Sequence, residues 1–451
     1  MSGPTIYLET YGCQMNEADS SMMAGLLVDA GWKIAAEPET ADVVLLNTCA
    51  VRERAEERVA ARVRHLARLK RYRPDLRIGL AGCMARHLGS DLFESLPNLD
   101  ILIGPDSYRR LAEVLAKGDC GPLVDLKLDK QERYEGIPPA RPGEMHAFVP
   151  IMRGCDRFCT FCVVPLVRGR EKSLPVDLLV REIADLARGG TVAVTLLGQT
   201  VNSYRDADVD FAALLDRVAR VDGILRIRYT SPHPADFTRA VFETMAAHRN
   251  LAKHIHLPVQ SGSTRILESM KRGHTREEFL RLVGSIREVV PEIGLTTDLM
   301  CGFPGETDED FEETLSLMRE VRFDGAFMFR YSPRPGTFAH RRQADDVPDS
   351  EKARRLSAMI RLQEEIAAER YAAVVGREVD VLIEGPARRD PSCLRGKSDD
   401  FKTVILPGAG ARAGEIRRAK IVRATSHTLI GEGVGAAAAE DLLAEIVAPE
   451  D

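Results

Sequence analysis

Six cysteines fall into two groups whose spacing could bind metal. Cys155, Cys159 and Cys162 follow the apolar run 148–152 at C-x3-C-x2-C spacing. Three thiols in so short a loop cannot all pair as disulfides. Zinc prefers four ligands with C-x2-C pairs, whereas an iron–sulfur cubane held by three thiolates keeps one iron open. The uneven spacing and the neighbouring aromatic residues favour the cluster. A zinc knuckle completed by a remote residue, or three unrelated core cysteines, are the alternatives.

The second group lies near the N-terminus. Cys13, Cys49 and Cys83 are 36 and 34 residues apart, and each directly follows a short apolar run. This pattern predicts strands over residues 6–9, 43–46 and 78–81 with helices over 19–30, 51–71 and 108–117, which is a parallel α/β sheet. Because parallel strands end at one edge, the three thiols should converge into a second site with a free metal position. The alternative is that cysteines merely fill strand ends. Cys120 breaks the pattern, and we interpret it as unrelated.

The middle of the chain must position the C-x3-C-x2-C loop. Six strands (148–152, 192–197, 225–229, 254–258, 294–299 and 326–331) alternate with helices near 176–188, 209–220, 236–247, 276–289 and 309–320. This alternation predicts a partial (βα)6 barrel with its ligands at the strand carboxyl ends. Candidate cofactor-binding residues at those ends are Gln199, Ser231, Gln260, Asp298 and Gly302. A glycine at position 302 would let backbone approach a ligand closely.

The C-terminal part changes pattern after a helix over residues 350–371. Short strands at 378–383, 402–406, 415–424 and 428–431 predict a small antiparallel β-barrel of OB-like form. The chain is therefore an α/β multidomain protein. We predict an N-terminal domain at 5–120, a Gly- and Pro-rich linker at 121–146, a barrel at 147–371, the β-barrel at 372–436 and an acidic tail at 437–451.

Composition narrows the functional classes. The 451 residues are 44% hydrophobic with a net charge of −6. No apolar run is long enough for a membrane span and no signal peptide is evident, so we expect a cytoplasmic protein without membrane contact. Nine cysteines in a reducing compartment favour metal or redox chemistry.

Charge is unevenly distributed along the chain. Residues 51–75 carry nine Lys/Arg against four Asp/Glu, and residues 371–425 carry eleven against seven. Two basic regions favour a polyanionic partner such as RNA, although solvated surfaces would explain either region alone. Candidate RNA contacts in the second region are Arg388, Arg395, Lys397 and Lys402, and Phe401 is essentially its one aromatic for stacking on a base.

The cysteine loop resembles the signature of the radical S-adenosylmethionine (SAM) superfamily. This resemblance implies that Cys155, Cys159 and Cys162 hold a [4Fe-4S] cluster whose open iron binds the amino and carboxylate groups of SAM. It also implies that Phe161 packs near the adenine and that SAM is cleaved reductively to a 5′-deoxyadenosyl radical.

Further segments resemble the methylthiotransferases within that superfamily. YGCQMN, NTCAVRE and GCMA are similar to their N-terminal domain, in which the three cysteines hold an auxiliary [4Fe-4S] cluster. LLGQTVNSY, TSPHP, HLPVQSGS, MKRGH, GFPGET and YSPRPGTFA resemble the MiaB-type branch, and the C-terminal module resembles a TRAM domain. Leu174 stands where arginine is usual and Thr200 where asparagine is common, and we expect neither to touch a cluster ligand.

The resemblance implies a function. A methylthio group would be added to C2 of N6-isopentenyl (dimethylallyl) adenosine beside the tRNA anticodon, with one SAM as radical source and one as methyl donor. We also expect a flavodoxin- or ferredoxin-type electron donor and a monomeric enzyme. Alternatives are methylthiolation of threonylcarbamoyl-adenosine in tRNA or of a ribosomal protein aspartate. From a different class, a non-catalytic iron–sulfur electron carrier or RNA-binding protein would not need both six placed cysteines and a SAM barrel.

Overall fold

Parallel strands dominate the first two thirds of the chain. The computed structural model describes residues 3–50, 53–117, 121–137, 144–408 and 410–433, so Cys120 and the tail at 437–451 lie outside the described residues. An N-terminal sheet is followed by a half-open barrel and then by a closed β-barrel. This confirms the predicted fold class. None of the helices in the described ranges combines the length and apolarity that a membrane crossing would need.

The N-terminal sheet has six parallel strands in the order β2-β1-β3-β4-β5-β6. Its strands are β1 (Thr5–Tyr11), β2 (Lys33–Ile34), β3 (Val43–Thr48), β4 (Arg77–Gly82), β5 (Ile101–Ile103) and β6 (Leu123–Asp125). Its helices are α1 (Gln14–Asp29), α2 (Glu53–Leu66), α3 (Cys83–Leu88), α4 (Asp91–Ser95) and α5 (Leu111–Ala116). Every residue of β3 is buried, because helices cover both faces of a parallel sheet.

The segment expected to be a loop-like linker contributes to this sheet. β6 pairs in parallel with β5 from Ile101–Leu123 to Ile103–Asp125. Tyr134 stacks on Tyr108 with ring centroids 5.7 Å apart. The many glycines and prolines concealed a three-residue edge strand, because so short a strand has little pattern of its own.

The central barrel contains all six strands expected from the sequence. They are β7 (His146–Pro150), β10 (Ala193–Leu197), β13 (Arg226–Tyr229), β14 (His254–His256), β15 (Gly294–Cys301) and β16 (Gly325–Arg330). Two three-stranded parallel sheets, β7-β10-β13 and β14-β15-β16, are joined by a parallel bridge between Ile227 and Leu251. The result is a partial barrel whose strand ends all lie at one edge.

Helices and minor ribbons surround the barrel. The helices are α6 (Val164–Arg168), α7 (Val176–Arg188), α8 (Phe211–Ala219), α9 (Arg239–Ala247), α10 (Thr264–Ser269), α11 (Arg276–Val289), α12 (Asp308–Val321), α13 (Phe338–Arg342) and α14 (Asp349–Ala372). The ribbons pair β8 (Met152–Arg153) with β9 (Lys172–Ser173) and β11 (Arg205–Asp206) with β12 (Val209–Asp210). α7 is typical in burying Val176, Leu179, Ile183 and Leu186, one apolar stripe at helical spacing.

The C-terminal domain is a closed barrel of five strands in the order β17-β18-β19-β21-β20. The strands are β17 (Glu378–Pro386), β18 (Cys393–Ser398), β19 (Thr403–Pro407), β20 (Ile416–Ala424) and β21 (Thr428–Gly433). β18 was not anticipated, because its charged and small residues conceal the strand pattern. The β19–β21 pair that closes the barrel is parallel, whereas the other pairs are antiparallel.

The loop between β18 and β19 packs the C-terminal domain against the amino ends of the central barrel strands. Arg226 donates to the Ser398 carbonyl at 2.8 Å. Gly294 leaves room for the Asp400 carbonyl, which would lie 2.5 Å from a Cβ at that position. Both barrel residues lie at the amino ends of their strands, so the contact closes the end opposite the expected ligand site.

Candidate functional site

Strand register brings the three N-terminal cysteines together. Tyr11 pairs with Thr48, and Thr48 pairs with Gly82, so the ends of β1, β3 and β4 are level. Each cysteine follows within two residues of these ends, and the Cys49 N–H donates to the Tyr11 carbonyl at 3.0 Å. The expected convergence of Cys13, Cys49 and Cys83 follows from this register.

Two asparagines lock the turns that carry these thiols. Asn16 Nδ2 donates to Asn47 Oδ1 at 3.1 Å, and Asn47 Nδ2 donates to the Asn16 carbonyl at 2.7 Å. Asn16 Oδ1 also accepts from the Cys13 N–H at 3.2 Å, which caps α1. A hydrogen bond from Cys49 lowers the pKa of the Cys13 thiol to about 6.

The C-x3-C-x2-C loop begins at a position that requires glycine. Gly154 has φ +79°, and a Cβ there would lie 2.0 Å from the Arg170 carbonyl oxygen. The loop then folds back, with the Cys155 N–H bonded to the Gly169 carbonyl at 3.1 Å. Thr160 anchors the middle of the loop, because its N–H donates to the Met270 carbonyl at 3.0 Å.

Several hydrogen-bond donors face the sulfurs of this loop. The N–H groups of Arg157 and Val164 donate to Cys155 and Cys162 at 3.4 and 3.5 Å. Arg272 Nη1 donates to Cys159 Sγ at 3.4 Å. Burial raises the pKa of Cys162 to about 12, so a bound metal must displace its proton.

Thr200 also reaches a cysteine of this loop. Its hydroxyl lies 3.1 Å from Cys155 Sγ, so the expectation that Thr200 would touch no cluster ligand was wrong. The position is 45 residues away in sequence and is brought to the loop only by the pairing of β10 with β7. Leu174, the other departure, packs against the hydrophobic core of the barrel.

The donor set fits iron–sulfur clusters. Within the described ranges, no three or more His, Cys, Asp or Glu side chains lie close enough together to bind one metal ion jointly. In a cubane each thiolate binds its own iron, and N–H donors to the sulfurs tune the cluster. The contacts at Cys155, Cys159, Cys162 and Cys83 are of this kind.

An arginine on the helix that follows the C-x3-C-x2-C loop contacts a cysteine of the N-terminal sheet. Arg168, at the end of α6, donates from Nε to Cys83 Sγ at 3.2 Å. Val163 and Val167 pack against Ala50 and Cys83, so α6 lies directly on the turns of the N-terminal sheet. The helix that follows Cys162 therefore reaches the other group of cysteines.

The polar candidates follow or lie near the carboxyl ends of barrel strands, although Asp298 lies inside β15, three residues before its end. Gln199 Oε1 accepts from the Gly154 N–H at 2.6 Å, which holds the start of the cysteine loop. Ser231 and Gln260 adopt φ of +60° and +79°, conformations unusual for residues with side chains. Asp298 lies 3.4 Å from His256 Nε2 and is half-buried.

Gly302 is closely approached by a side chain of the protein itself. Its N–H donates to Glu306 at 2.6 Å, and a Cβ at 302 would lie 2.3 Å from the Lys352 side chain. The missing side chain at position 302 therefore makes room for Lys352. Phe161 is half-buried and lies edge-on to Phe303, with ring centroids 6.4 Å apart.

The predicted RNA contacts differ in how far their side chains are exposed to solvent. Lys402 is 3% exposed and lies 2.8 Å from Asp324, so the prediction that it contacts RNA was wrong: its charge holds two domains together. The Phe401 ring packs against Arg228 and His254 of the central barrel and is not free to stack on a base. Their sequence neighbours gave no sign of these distant partners.

The remaining three basic candidates lie nearer the surface. Arg395 binds Glu384 at 2.7 Å, and Lys397 Nζ donates to the Thr403 hydroxyl at 2.8 Å. Arg388 is exposed.

A basic surface that the sequence did not indicate lies beside the cysteine loop. The Ala339 N–H donates to the Thr160 carbonyl at 2.8 Å, which fixes α13 on that loop. A cavity of about 500 Å³ opens there, lined by Phe338, His340, Arg341 and Arg342. We call these four residues the α13 surface. Lys271 Nζ lies 4.8 Å from the Phe338 ring centroid and adds a further positive charge.

Three families match the chain. The Radical SAM superfamily matches residues 149–318, Uncharacterized protein family UPF0004 matches residues 5–104, and the TRAM domain matches residues 372–434. A relative from Chlorobium phaeobacteroides (strain BS1), named tRNA-2-methylthio-N(6)-dimethylallyladenosine synthase, is 45% identical over 94% of this chain and 96% of its own length. The chain belongs to this synthase family.

Other similarities agree with this assignment. The synthase of the same name from Chlorobaculum tepidum is 46% identical over 95% of this chain and 98% of its own length. Among solved structures, the radical SAM methyltransferase TsrM from Kitasatospora setae gives a TM-score of 0.54 at 16% identity, covering 75% of this chain and 77% of its own. OxsB, a cobalamin-dependent SAM radical enzyme, also gives 0.54 at 13% identity, covering 80% and 61%. These two structures support the fold alone.

Proposed function

We propose that this synthase transfers a methylthio group to C2 of N6-isopentenyl (dimethylallyl) adenosine next to the tRNA anticodon. One observation carries the proposal. Helix α6, which directly follows the three thiols of the barrel site, packs on the turns of the sheet site, and its Arg168 donates to Cys83 of that site at 3.2 Å. Insertion of sulfur at an unactivated C–H bond requires a radical source and a sulfur source held close together, and this arrangement supplies places for both.

Two [4Fe-4S] clusters and SAM are the cofactors of this family. Cys155, Cys159 and Cys162 would hold the cluster that binds SAM, and Cys13, Cys49 and Cys83 would hold the auxiliary cluster. When bound, these groups supply the electron for SAM cleavage and the sulfur for transfer. The protein's own contribution is to orient the two sites and to shield most of their thiols from solvent: five of the six cysteines are buried or half-buried, whereas Cys13 is exposed.

The strand ends would hold SAM. Gln199 contacts the start of the cysteine loop, and Ser231, Gln260 and Asp298 lie near the ends of neighbouring strands, while Phe161 would pack against the adenine. Gly302 would act indirectly, since it admits the Lys352 side chain. Hydrogen bonds from amide and hydroxyl groups suit the ribose and methionine parts of SAM.

RNA would bind on the same side as the cysteine loop. The α13 surface offers cations for phosphates and Phe338, 45% exposed, for a base. In the TRAM domain, Arg388 would add a phosphate contact, with smaller contributions from Arg395 and Lys397, which have partners in the protein. Recognition that relies on phosphates gives affinity, while selection of the modified adenosine would depend on the pocket at the strand ends.

The electron donor, the oligomeric state and the location are proposed as well. The electron would come from a flavodoxin or ferredoxin, and the enzyme would act as a cytoplasmic monomer. The tRNA-directed name of the relatives favours this reaction over methylthiolation of a ribosomal protein, and their dimethylallyl-adenosine name favours it over threonylcarbamoyl-adenosine.

Mass spectrometry of tRNA nucleosides tests the substrate. A strain that lacks this chain should lose 2-methylthio-N6-isopentenyladenosine and accumulate the isopentenylated precursor. The wild-type gene should restore the product, whereas Cys159→Ala and Cys13→Ala should not. Cys393→Ala is the matched control, because this buried thiol lies outside both groups. Persistence of the product in the deletion strain would overturn the assignment.

A further inference from the structure

Asp19 is a buried carboxylate that receives two arginines from another part of the chain. Arg153 Nη2 donates to Oδ1 at 2.6 Å and Arg168 Nη2 donates to Oδ2 at 2.7 Å. Asp19 has a side-chain exposure of 0% and both arginines of 4%. Burial opposes ionisation, but the two guanidinium charges outweigh it and hold the pKa of Asp19 below its usual value. The three residues therefore form a charged triad in a dry environment.

The two arginines flank the cysteine loop. Arg153 ends β8, two residues before Cys155, and Arg168 ends α6, six residues after Cys162. Asp19 itself lies on α1, the helix that starts immediately after Cys13. One carboxylate on the N-terminal sheet thus ties down both ends of the loop that belongs to the barrel.

Stability alone is a poor explanation for this triad. Burying three charges is costly, and apolar residues of the same volume commonly serve as well. Both arginines also have an unused hydrogen-bond donor: Nη1 of Arg153 and of Arg168 is buried with no hydrogen-bond partner among the residues that the structure describes. Arg168 in addition donates to Cys83. The triad therefore contacts the N-terminal group of thiols through Arg168, and its two arginines flank in sequence the loop that carries the other group.

We propose that Asp19 is a positioning residue that fixes the register between the two clusters. The inference rests on the proposed function, because it assumes that both groups of cysteines hold clusters. Asp19 orients Arg168, and Arg168 holds the Cys83 side of the auxiliary site against the loop that holds the SAM cluster. A radical that forms in the wrong place is quenched, and a displacement of about 1 Å can cost about 10²-fold in a reaction that depends on orientation.

The test compares chemistry that needs one cluster with chemistry that needs two. Asp19→Asn keeps the shape of the side chain but removes its charge. With reconstituted full-length enzyme and isopentenylated tRNA, we expect SAM cleavage to 5′-deoxyadenosine to continue, while the methylthiolated product per 5′-deoxyadenosine falls at least tenfold. The magnetic interaction between the two reduced clusters, measured by electron paramagnetic resonance, should change as well.

Arg168→Lys provides a milder second variant. A lysine can still pair with Asp19, but a single ammonium cannot reproduce the fork that reaches both Asp19 and Cys83. Product per 5′-deoxyadenosine should again fall, with full iron content. If Asp19→Asn fails to fold or to bind iron, this variant decides the question.

Asp324→Asn is the matched control. Asp324 is a carboxylate 4% exposed that also receives two cations, Lys402 and Arg370, but at the boundary with the TRAM domain. Its loss should lower stability and leave product per 5′-deoxyadenosine unchanged. The proposal is wrong if Asp19→Asn or Arg168→Lys keeps the wild-type ratio and wild-type cluster interaction, or if Asp324→Asn lowers the ratio equally.

The magnetic measurement separates this inference from the proposed function. If the wild-type enzyme holds two clusters but does not modify isopentenylated tRNA, the substrate assignment fails. The cluster interaction in Asp19→Asn then still supports or overturns the positioning role.

Discussion

Gly154→Ala should disable the cysteine loop through a single methyl group. At φ +79° an alanine costs about 1–2 kcal/mol in backbone strain alone. The new Cβ would also lie 2.0 Å from the Arg170 carbonyl oxygen, where real Cβ contacts are essentially never under 3.0 Å. Backbone must therefore move by about 1 Å. This movement also disturbs the bond from the Gly154 N–H to Gln199.

Gly190→Ala separates strain from displacement. Gly190 has φ +99°, and a Cβ at this position would meet nothing within 4 Å, so the variant carries the strain without the clash. We expect reductive SAM cleavage to fall about 10²-fold in Gly154→Ala, because its loop is displaced by about 1 Å, and less than about twofold in Gly190→Ala. The assay is 5′-deoxyadenosine formed per enzyme with dithionite as reductant, with iron content determined on the same samples. Similar rates for the two variants would refute the argument that backbone contact positions the loop.

Three further predictions concern the TRAM boundary and the RNA. Lys402→Met should increase the rate of hydrogen exchange across residues 372–433 about 100-fold, because breaking a buried ion pair costs about 3 kcal/mol while Arg370 still pairs with Asp324. An unchanged exchange rate would contradict the role of Lys402 in holding the TRAM domain against the barrel. Burial alone would raise the pKa of Asp324, but Lys402 and Arg370 lower it below its usual value. The ion pair between Asp324 and Lys402 therefore stabilises the wild type above pH ~4, and this contribution is lost as the pH falls below that value. Hydrogen exchange of the same residues, measured over an acid titration, will show the loss. Arg341→Glu with Arg342→Glu should weaken tRNA binding and reduce its salt dependence by about two ions, whereas Arg181→Glu, on the exposed side of α7, should change neither; equal effects would exclude the α13 surface.

The sequence was most informative where a feature depends on local residue spacing or on regular strand pairing. The C-x3-C-x2-C loop needs only local spacing to indicate a three-thiol site. The convergence of Cys13, Cys49 and Cys83 follows from the level ends of parallel strands, and the register of β1, β3 and β4 has this form. The six barrel strands were recognisable because short β-type segments alternate with helical ones and polar residues follow them.

Predictions failed where the partner of a residue is remote. Lys402 has the composition of an RNA contact, yet Asp324 removes its charge from the surface. Thr200 has the position of an ordinary turn residue, yet strand pairing places its hydroxyl 3.1 Å from Cys155 Sγ. β6 was missed because it has only three residues, and β18 because its charged and small residues hide the strand pattern; both are stabilised by neighbouring strands more than by their own sequence.

The sequence by itself therefore determined the chemistry of this synthase: two sets of three thiols, a barrel for SAM and a small β-barrel at the end. Only the tertiary structure decided how these parts face each other. Asp19 and Arg168 are 149 residues apart, and neither has a local pattern that would reveal the other. A buried charge must find its partner wherever the chain folds back, so such pairs become visible only when the packing is known.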